Sequence, residues 1–214
     1  MIISPGRNYI FVHIPKTGGT SLALALEGRA MRDDILIGDT PKAKKRRGRI
    51  KDVKSAGRLW KHSTLADIDG LVSTGFVAQA LCFTLVRNPW DRIVSYYHWL
   101  RIQAFDHPAV ARAKTADFTG FLNATDMQDA IRAWDYARYM RRADGQDQAG
   151  FFIRLEHFEE EAGPLWDHLG FRLDLPHENR SARVQDYRSY YNEADADVVS
   201  RLCAVDIERF GYQF

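Results

Sequence analysis

Three apolar runs punctuate the chain, and each ends in turn residues followed by a helical pattern. The first holds Ile10, Phe11, Val12 and Ile14, and closes on Pro15–Lys16–Thr17–Gly18–Gly19–Thr20–Ser21 before Leu22–Ala23–Leu24–Ala25–Leu26. This predicts a buried strand over about 9–14, a tight turn, and a helix from Thr20 to near Arg29. Residues 1–8 read as a short lead-in, and Ile35–Leu36–Ile37 as a short strand closed by Gly38, Asp39 and Pro41. The second run, Leu81–Cys82–Phe83–Thr84–Leu85–Val86, is continuously apolar, as a central parallel strand is. It stops at Arg87–Asn88–Pro89, where Asn-Pro is turn chemistry and Pro89 suits the first turn of a helix. That helix carries Ile93, Val94, Tyr96, Tyr97 and Leu100 over about three turns. The third run, Phe151–Phe152–Ile153–Arg154–Leu155–Glu156, is another strand candidate. Residues 105–150 read as helical and connective, 158–169 as a helix ending at Gly170, and 193–209 as the last helix. Ser63 or Thr64 could cap a short helix. Strands alternating with helices predict a three-layer α/β fold with a central parallel sheet.

Composition narrows this picture only slightly. The 214 residues suit a single domain over 1–214 with a sizeable core, and 45% hydrophobic with 27% charged residues is ordinary for a globular chain. Two cysteines, Cys82 and Cys203, are too few for a disulfide framework and read as buried free thiols. No apolar run is long enough to span a bilayer, and the early charges argue against a signal peptide, so a cytoplasmic setting is expected. Charge is more informative. Residues 42–54 hold eight Lys or Arg against one Asp, so this window carries +7; with a total of +2, the remainder carries −5. Such a tract reads either as a mobile, solvated loop or as an attractor of a sulfated or carboxylated glycan. No recognition helix or aromatic platform accompanies it, so nucleic acid is not an expected partner.

The first turn is suited to a phosphate-like anion. Helix-start amides and the positive end of the macrodipole favour negative charge. Glycines admit close backbone approach, Lys16 adds a full charge, and Thr17, Thr20 and Ser21 add donors. Lys16 precedes the glycines and no Gly-Lys-Ser/Thr occurs anywhere, so this is not the Mg²⁺–triphosphate loop. The bland alternative is an ordinary strand-to-helix turn. At the second turn, Arg87 follows a strand's carboxyl end, where open α/β sheets bind ligands, and Ser95 lies about one turn into the helix. A guanidinium grips phosphate bidentately; alternatively, Arg87 pairs with Asp91 and only fixes the turn.

Together the two turns resemble a known family. Phe11–Val12–His13–Ile14–Pro15–Lys16–Thr17–Gly18–Gly19–Thr20–Ser21 is similar to the 5′-phosphosulfate loop of sulfotransferases that use PAPS (3′-phosphoadenosine 5′-phosphosulfate). Val86–Arg87–Asn88–Pro89–Trp90–Asp91–Arg92–Ile93–Val94–Ser95 is similar to their 3′-phosphate segment. Ile153–Arg154–Leu155–Glu156 and the ending from Tyr190–Tyr191 to Phe214 resemble the carbohydrate branch that includes heparan sulfate 2-O-sulfotransferases and small bacterial members. The likeness covers nearly the whole chain and is weakest in 28–58 and 104–150. It implies a P-loop-like fold and transfer of a sulfuryl group from PAPS to a hydroxyl, on a carbohydrate or glycoconjugate, with 3′,5′-ADP as product and no metal. By the same resemblance Lys16 and the backbone of Thr17, Gly18, Gly19, Thr20 and Ser21 bind the 5′ end, with Lys16 supporting charge on the leaving phosphate. Arg87 and Ser95 bind the 3′-phosphate. The polar loop with Arg180, Ser181 and Arg183 falls where related enzymes close over that phosphate; a solvated loop is the alternative. His62 matches the region of the branch's catalytic histidine, although position 60 is Trp and the paired-His form is only partly present. His13 and His98 read as packing residues, and Glu27 or Asp67 could replace His62 as base. A nucleotide-dependent kinase, or a non-catalytic nucleotide- or glycan-binding protein, are the competing readings.

Overall fold

The computed structural model describes residues 1–175 and 183–214. In chain order the elements are β1 (Ile2–Ser4), β2 (Tyr9–Val12), α1 (Gly19–Gly28), β3 (Ile35–Leu36), α2 (Pro41–Arg46), α3 (Thr74–Gln79), β4 (Leu81–Val86) and α4 (Pro89–Arg101). Then follow α5 (Pro108–Thr115), α6 (Phe118–Leu122), α7 (Thr125–Arg132), α8 (Tyr136–Met140) and β5 (Gly150–Arg154). The last are α9 (Phe158–Glu161), α10 (Gly163–Leu169), α11 (Glu193–Leu202) and α12 (Ala204–Phe210). They divide into two compact units, Met1–Val86 with Tyr136–Glu178, and Arg87–Asp135 with Asn179–Phe214.

The first unit is built on a five-stranded sheet in the order β3-β1-β2-β4-β5. Strands β2, β4 and β5 are parallel neighbours, with Val12 opposite Thr84 and Val86 opposite Arg154. The expected central parallel sheet is there in β2, β4 and β5, and β1, antiparallel to both β2 and β3, makes the whole sheet a mixed one. The reason lies in the supposed lead-in. Pro5–Asn8 turns the chain back at once, with Asn8 in the left-handed region at φ 52° and its amide on the Pro5 carbonyl. So short a connection permits only an antiparallel pair. The sheet packs Phe11, Phe83, Leu85 and Ile153 against Leu22, Ala23 and Leu26 of α1, and Leu165 and Trp166 of α10. Each large side chain so buried contributes about 1.5–3 kcal/mol.

Three further expectations change. The basic tract is not a loop throughout. Thr40 caps α2 by accepting from the Ala43 amide, Pro41 occupies the first turn, and a 3₁₀ turn continues over Arg47–Ile50. Lys42 donates to the Glu27 carbonyl, and Arg46 to the carbonyls of Met31 and Asp34. Glu27 lies in the last turn of α1, where orphan carbonyls and the negative dipole end favour a cation. The tract thus serves the end of α1. The 158–169 helix is two, α9 and α10, with Ala162 between them. The 193–209 helix is also two, divided at Cys203.

In the second unit, α4 supplies Trp90, Ile93, Val94, Tyr97 and Leu100 to a core completed by α5, α6, α7 and Val199 of α11. Asn88 caps α4 by accepting from the Trp90 amide and donates to Tyr187 Oη (3.1 Å) and the Gln213 carbonyl (2.9 Å). Both cysteines are free; Cys82 is buried, Cys203 half-buried. Among the described residues, no helix is long and apolar enough to cross a membrane.

Candidate functional site

In the first unit, the turn after β2 is held by tight packing. Lys16 sits in the left-handed region at φ 67°, a conformation that costs a non-glycine residue about 1–2 kcal/mol. Gly18 follows at φ 81°, and a Cβ there would press on Leu155, just past β5. A Cβ on Gly19 would collide with the His13 imidazole. Both glycines are therefore demanded by the space around them. Thr17 is fully buried and donates its hydroxyl to the Ile14 carbonyl at 2.9 Å, so that hydroxyl braces the turn. The Ser21 amide turns back to the Gly18 carbonyl at 3.2 Å. Helix α1 has no side-chain cap, and amides of its first turn lack partners within the helix. Together with Lys16 they form a basic, amide-lined turn suited to an anion.

His62 belongs to the same unit. Its Nδ1 lies 2.8 Å from the His13 carbonyl oxygen, which can only accept, so Nδ1 carries the proton and Nε2 presents a lone pair. The ring meets that of His13 edge-on at 4.7 Å and that of Trp60 at 5.0 Å. Burial drives the His62 pKa down to about 4, against the upward pull of its bond to His13. Burial, then His62, also holds His13 well below the usual range. His62 is thus a neutral, oriented proton acceptor. Its loop contains no helix of the kind Ser63 or Thr64 was expected to cap. Instead the buried Ser63 hydroxyl accepts from the Trp60 amide and contacts the Arg58 and Trp60 carbonyls. The substitute bases are otherwise engaged: Asp67 accepts from the Thr64 amide and hydroxyl, and buried Glu27 from Thr40.

In the second unit, Arg87 donates from Nε and Nη2 to Asp91 Oδ2 at 2.8 and 2.6 Å, the turn-fixing pairing. Arg183 donates to the other oxygen of the same carboxylate. One aspartate thus holds two guanidinium groups together and keeps a basic pair oriented. Ser95, one turn beyond Asp91 on α4, is buried. His98, a turn further on, rests edge-on against Tyr190 at 5.0 Å; burial, then Arg183, lowers its pKa. Arg180 and Ser181 lie outside the described residues. The sequence reading missed the Arg183–Asp91 pair and the His13 carbonyl as orienter of His62. The first joins residues 92 apart and the second 49 apart, so neither leaves a local signal.

The first unit is thus an α/β sheet whose parallel strand β2 ends in a lysine-bearing glycine turn, with an oriented proton acceptor in the same unit. A family model described as "Sulfotransferase family" matches residues 1–213, and the chain belongs to that family. Among solved structures it is similar to mouse sulfotransferase SULT7A1 complexed with PAP, at 17% identity and a TM-score of 0.55. That match covers 96% of this chain and 85% of the other, and it establishes a shared fold. No curated protein matches the chain.

Proposed function

We propose that residues 1–214 act as one sulfotransferase domain that uses PAPS to sulfate a hydroxyl of a carbohydrate or glycoconjugate, in a cytoplasmic setting. The observation that carries this reading is the Lys16–Gly18–Gly19 turn in one unit with His62, whose Nδ1–H is tied to the His13 carbonyl. The fit to the donor is physical: the two glycines clear the space beside His13 and Leu155, and the lysine sits on a strained left-handed backbone between β2 and α1. That the solved neighbour holds PAP, the desulfated product nucleotide, agrees with this donor. PAPS supplies an activated sulfuryl group and leaves as 3′,5′-ADP. Lys16 and the first-turn amides hold the 5′ end and offset the charge on the departing phosphate. Nε2 of His62 takes the proton of the acceptor hydroxyl as the acceptor oxygen bonds to sulfur. Arg87, held with Arg183 by Asp91, and Ser95 hold the 3′-phosphate, and Arg180 and Ser181 are assigned to the loop over it.

Calorimetric titration with 3′,5′-ADP and transfer of labelled PAPS to a panel of glycans test this. Lys16→Ala is expected to cut turnover about 10²–10³-fold. His62→Ala should cut turnover by roughly 10²–10⁴ while 3′,5′-ADP still binds. Wild-type turnover in His62→Ala would reject it as the base, and unchanged 3′,5′-ADP affinity in Arg87→Ala would reject the 3′-phosphate assignment. Mg²⁺-dependent ATP binding with no affinity for 3′,5′-ADP would replace the whole reading with a kinase.

A further inference from the structure

Residues 29–61 hold twelve Lys or Arg against four Asp, a net +8 within a chain whose total is +2. The fold fixes this charge as a surface of the first unit. Ala43 is buried, and Lys42 and Arg46, four apart on α2, turn to the carbonyls of Glu27, Met31 and Asp34. Arg49 likewise donates to the Arg32 carbonyl. Lys44, Lys45, Arg47 and Lys51 are left exposed and make no ion pair with any described residue. Buried Asp34 accepts from the Met31 amide and Asp39 is taken by Lys61 at 2.7 Å, which leaves Asp33 and Asp52 as the acidic groups among the exposed cations. Over Pro41–Ile50 the α-helical and 3₁₀ turns together run about 17 Å, far longer than one phosphate or sulfate group. The cations are therefore spread along a surface and do not converge on one small ion. Apolar side chains are set among them. Among the described residues, the exposed large hydrophobics of the first unit are Met31, Val53 and Trp60, all three in this stretch. Arg46 holds the Met31 carbonyl, and Arg47, Ile50, Arg58 and Trp60 border one depression, so apolar and basic groups share the surface. Trp60 keeps 43% of its area exposed, an unusual state for so large a ring. A free polyanion gives Met31 and Val53 nothing to bury against. A bilayer does: its charged headgroups meet the cations, and its headgroup–acyl boundary accepts tryptophan and aliphatic groups.

We propose that this surface docks the first unit on an anionic phospholipid bilayer. Lys44, Lys45 and Arg47 face the headgroup phosphates, and Met31, Val53 and Trp60 sit at the headgroup–acyl boundary. The docking is independent of the sulfate-transfer reading, and its test uses no PAPS. The full chain is sedimented with vesicles of phosphatidylcholine alone and of phosphatidylcholine with about a third phosphatidylglycerol. Binding to the anionic vesicles is expected to be at least about tenfold tighter, and to fall steeply between roughly 50 and 200 mM salt. Lys44→Glu with Lys45→Glu should weaken it about tenfold or more. Both sites are exposed, so thermal melting should not move. Acyl chains brominated near the headgroup should quench tryptophan fluorescence in the wild type and not in Trp60→Phe. Equal binding to both vesicle types, undiminished binding in the double glutamate variant, or quenching that is absent from the wild type or survives Trp60→Phe overturns the proposal. A heparin hexasaccharide and a short DNA duplex are titrated in parallel at low salt. Either one bound while the vesicles are not would assign the surface to a free polyanion and overturn the proposal too.

Discussion

Lys16 holds a strained backbone in the turn after β2. Its left-handed backbone costs about 1–2 kcal/mol, which glycine would not incur. Glycine also loses more entropy on folding, by roughly 0.5–1 kcal/mol, so the two effects nearly cancel. Lys16→Gly should therefore melt within a few degrees of wild type while losing turnover, a separation that calorimetry and a transfer assay read together. Gly19→Ala should do the opposite, destabilising the chain by about 1–3 kcal/mol because a methyl group meets the His13 ring. The two histidines predict a pH response with a definite sign. Both have folded-state pKa values below their unfolded value of 6.5, His62 at about 4, so the unfolded chain binds protons more readily. Their contribution is complete above 6.5 and is lost as pH falls toward 4. Chemical unfolding at a series of pH values should show this decline, and His62→Gln should flatten part of it. In catalysis, kcat/KM reports the free enzyme, so its acid limb due to His62 should fall well below pH 6.5. An anion at the Lys16 turn favours the charged imidazole, so the kcat limb should lie higher.

At the level of elements, side-chain knots decide more than propensity does. Asn88 caps α4 and reaches both Tyr187 and the Gln213 carbonyl, so Asn88→Ala should cost about 2–4 kcal/mol, measurable as a shift of the urea midpoint. Ser63→Ala removes the hub of the loop carrying Trp60 and His62 and should cost about 1–3 kcal/mol, with turnover reduced as His62 loses its fixed position. These elements also mark what the sequence makes legible. The β4 run, with every residue from Cys82 to Val86 buried, and the Asn-Pro helix start read directly from the chain, because burial on two faces and capping are local signals. Strand β1 did not, since three residues carry too little periodicity, although Pro5–Gly6 ahead of Asn8 marked the turn. The α2 helix was hidden by its charge: eight cations in the window suggested self-repulsion, but Lys42 and Arg46 find carbonyls at the end of α1 and just beyond it. The Lys-Gly-Gly turn was visible as a string, and the tautomer of His62 was not, because its partner is a backbone atom of another segment.

Across the whole molecule, charge is unevenly placed. A formal charge of +2 conceals +7 within residues 42–54 against −5 elsewhere. The chain should be retained on a cation exchanger more strongly than a uniformly charged protein of the same net charge, with retention falling steeply between roughly 50 and 200 mM salt. Lys44→Glu with Lys45→Glu, two exposed sites, should shorten that retention without shifting the melting temperature. The sheet carries a different consequence. Strands β2 and β5 never touch, because β4 lies between them, yet the residue just past β5 is the surface against which Gly18 rests. Leu155 therefore acts as a mechanical stop for a turn in a distant part of the chain. If the Lys16 turn holds the nucleotide as proposed, Leu155→Ala, which gives the left-handed segment room to relax, is expected to weaken 3′,5′-ADP binding in calorimetry. On the same proposal, an apolar residue far from the turn in sequence sets how firmly the turn is held, and unchanged 3′,5′-ADP affinity in Leu155→Ala would reject that role.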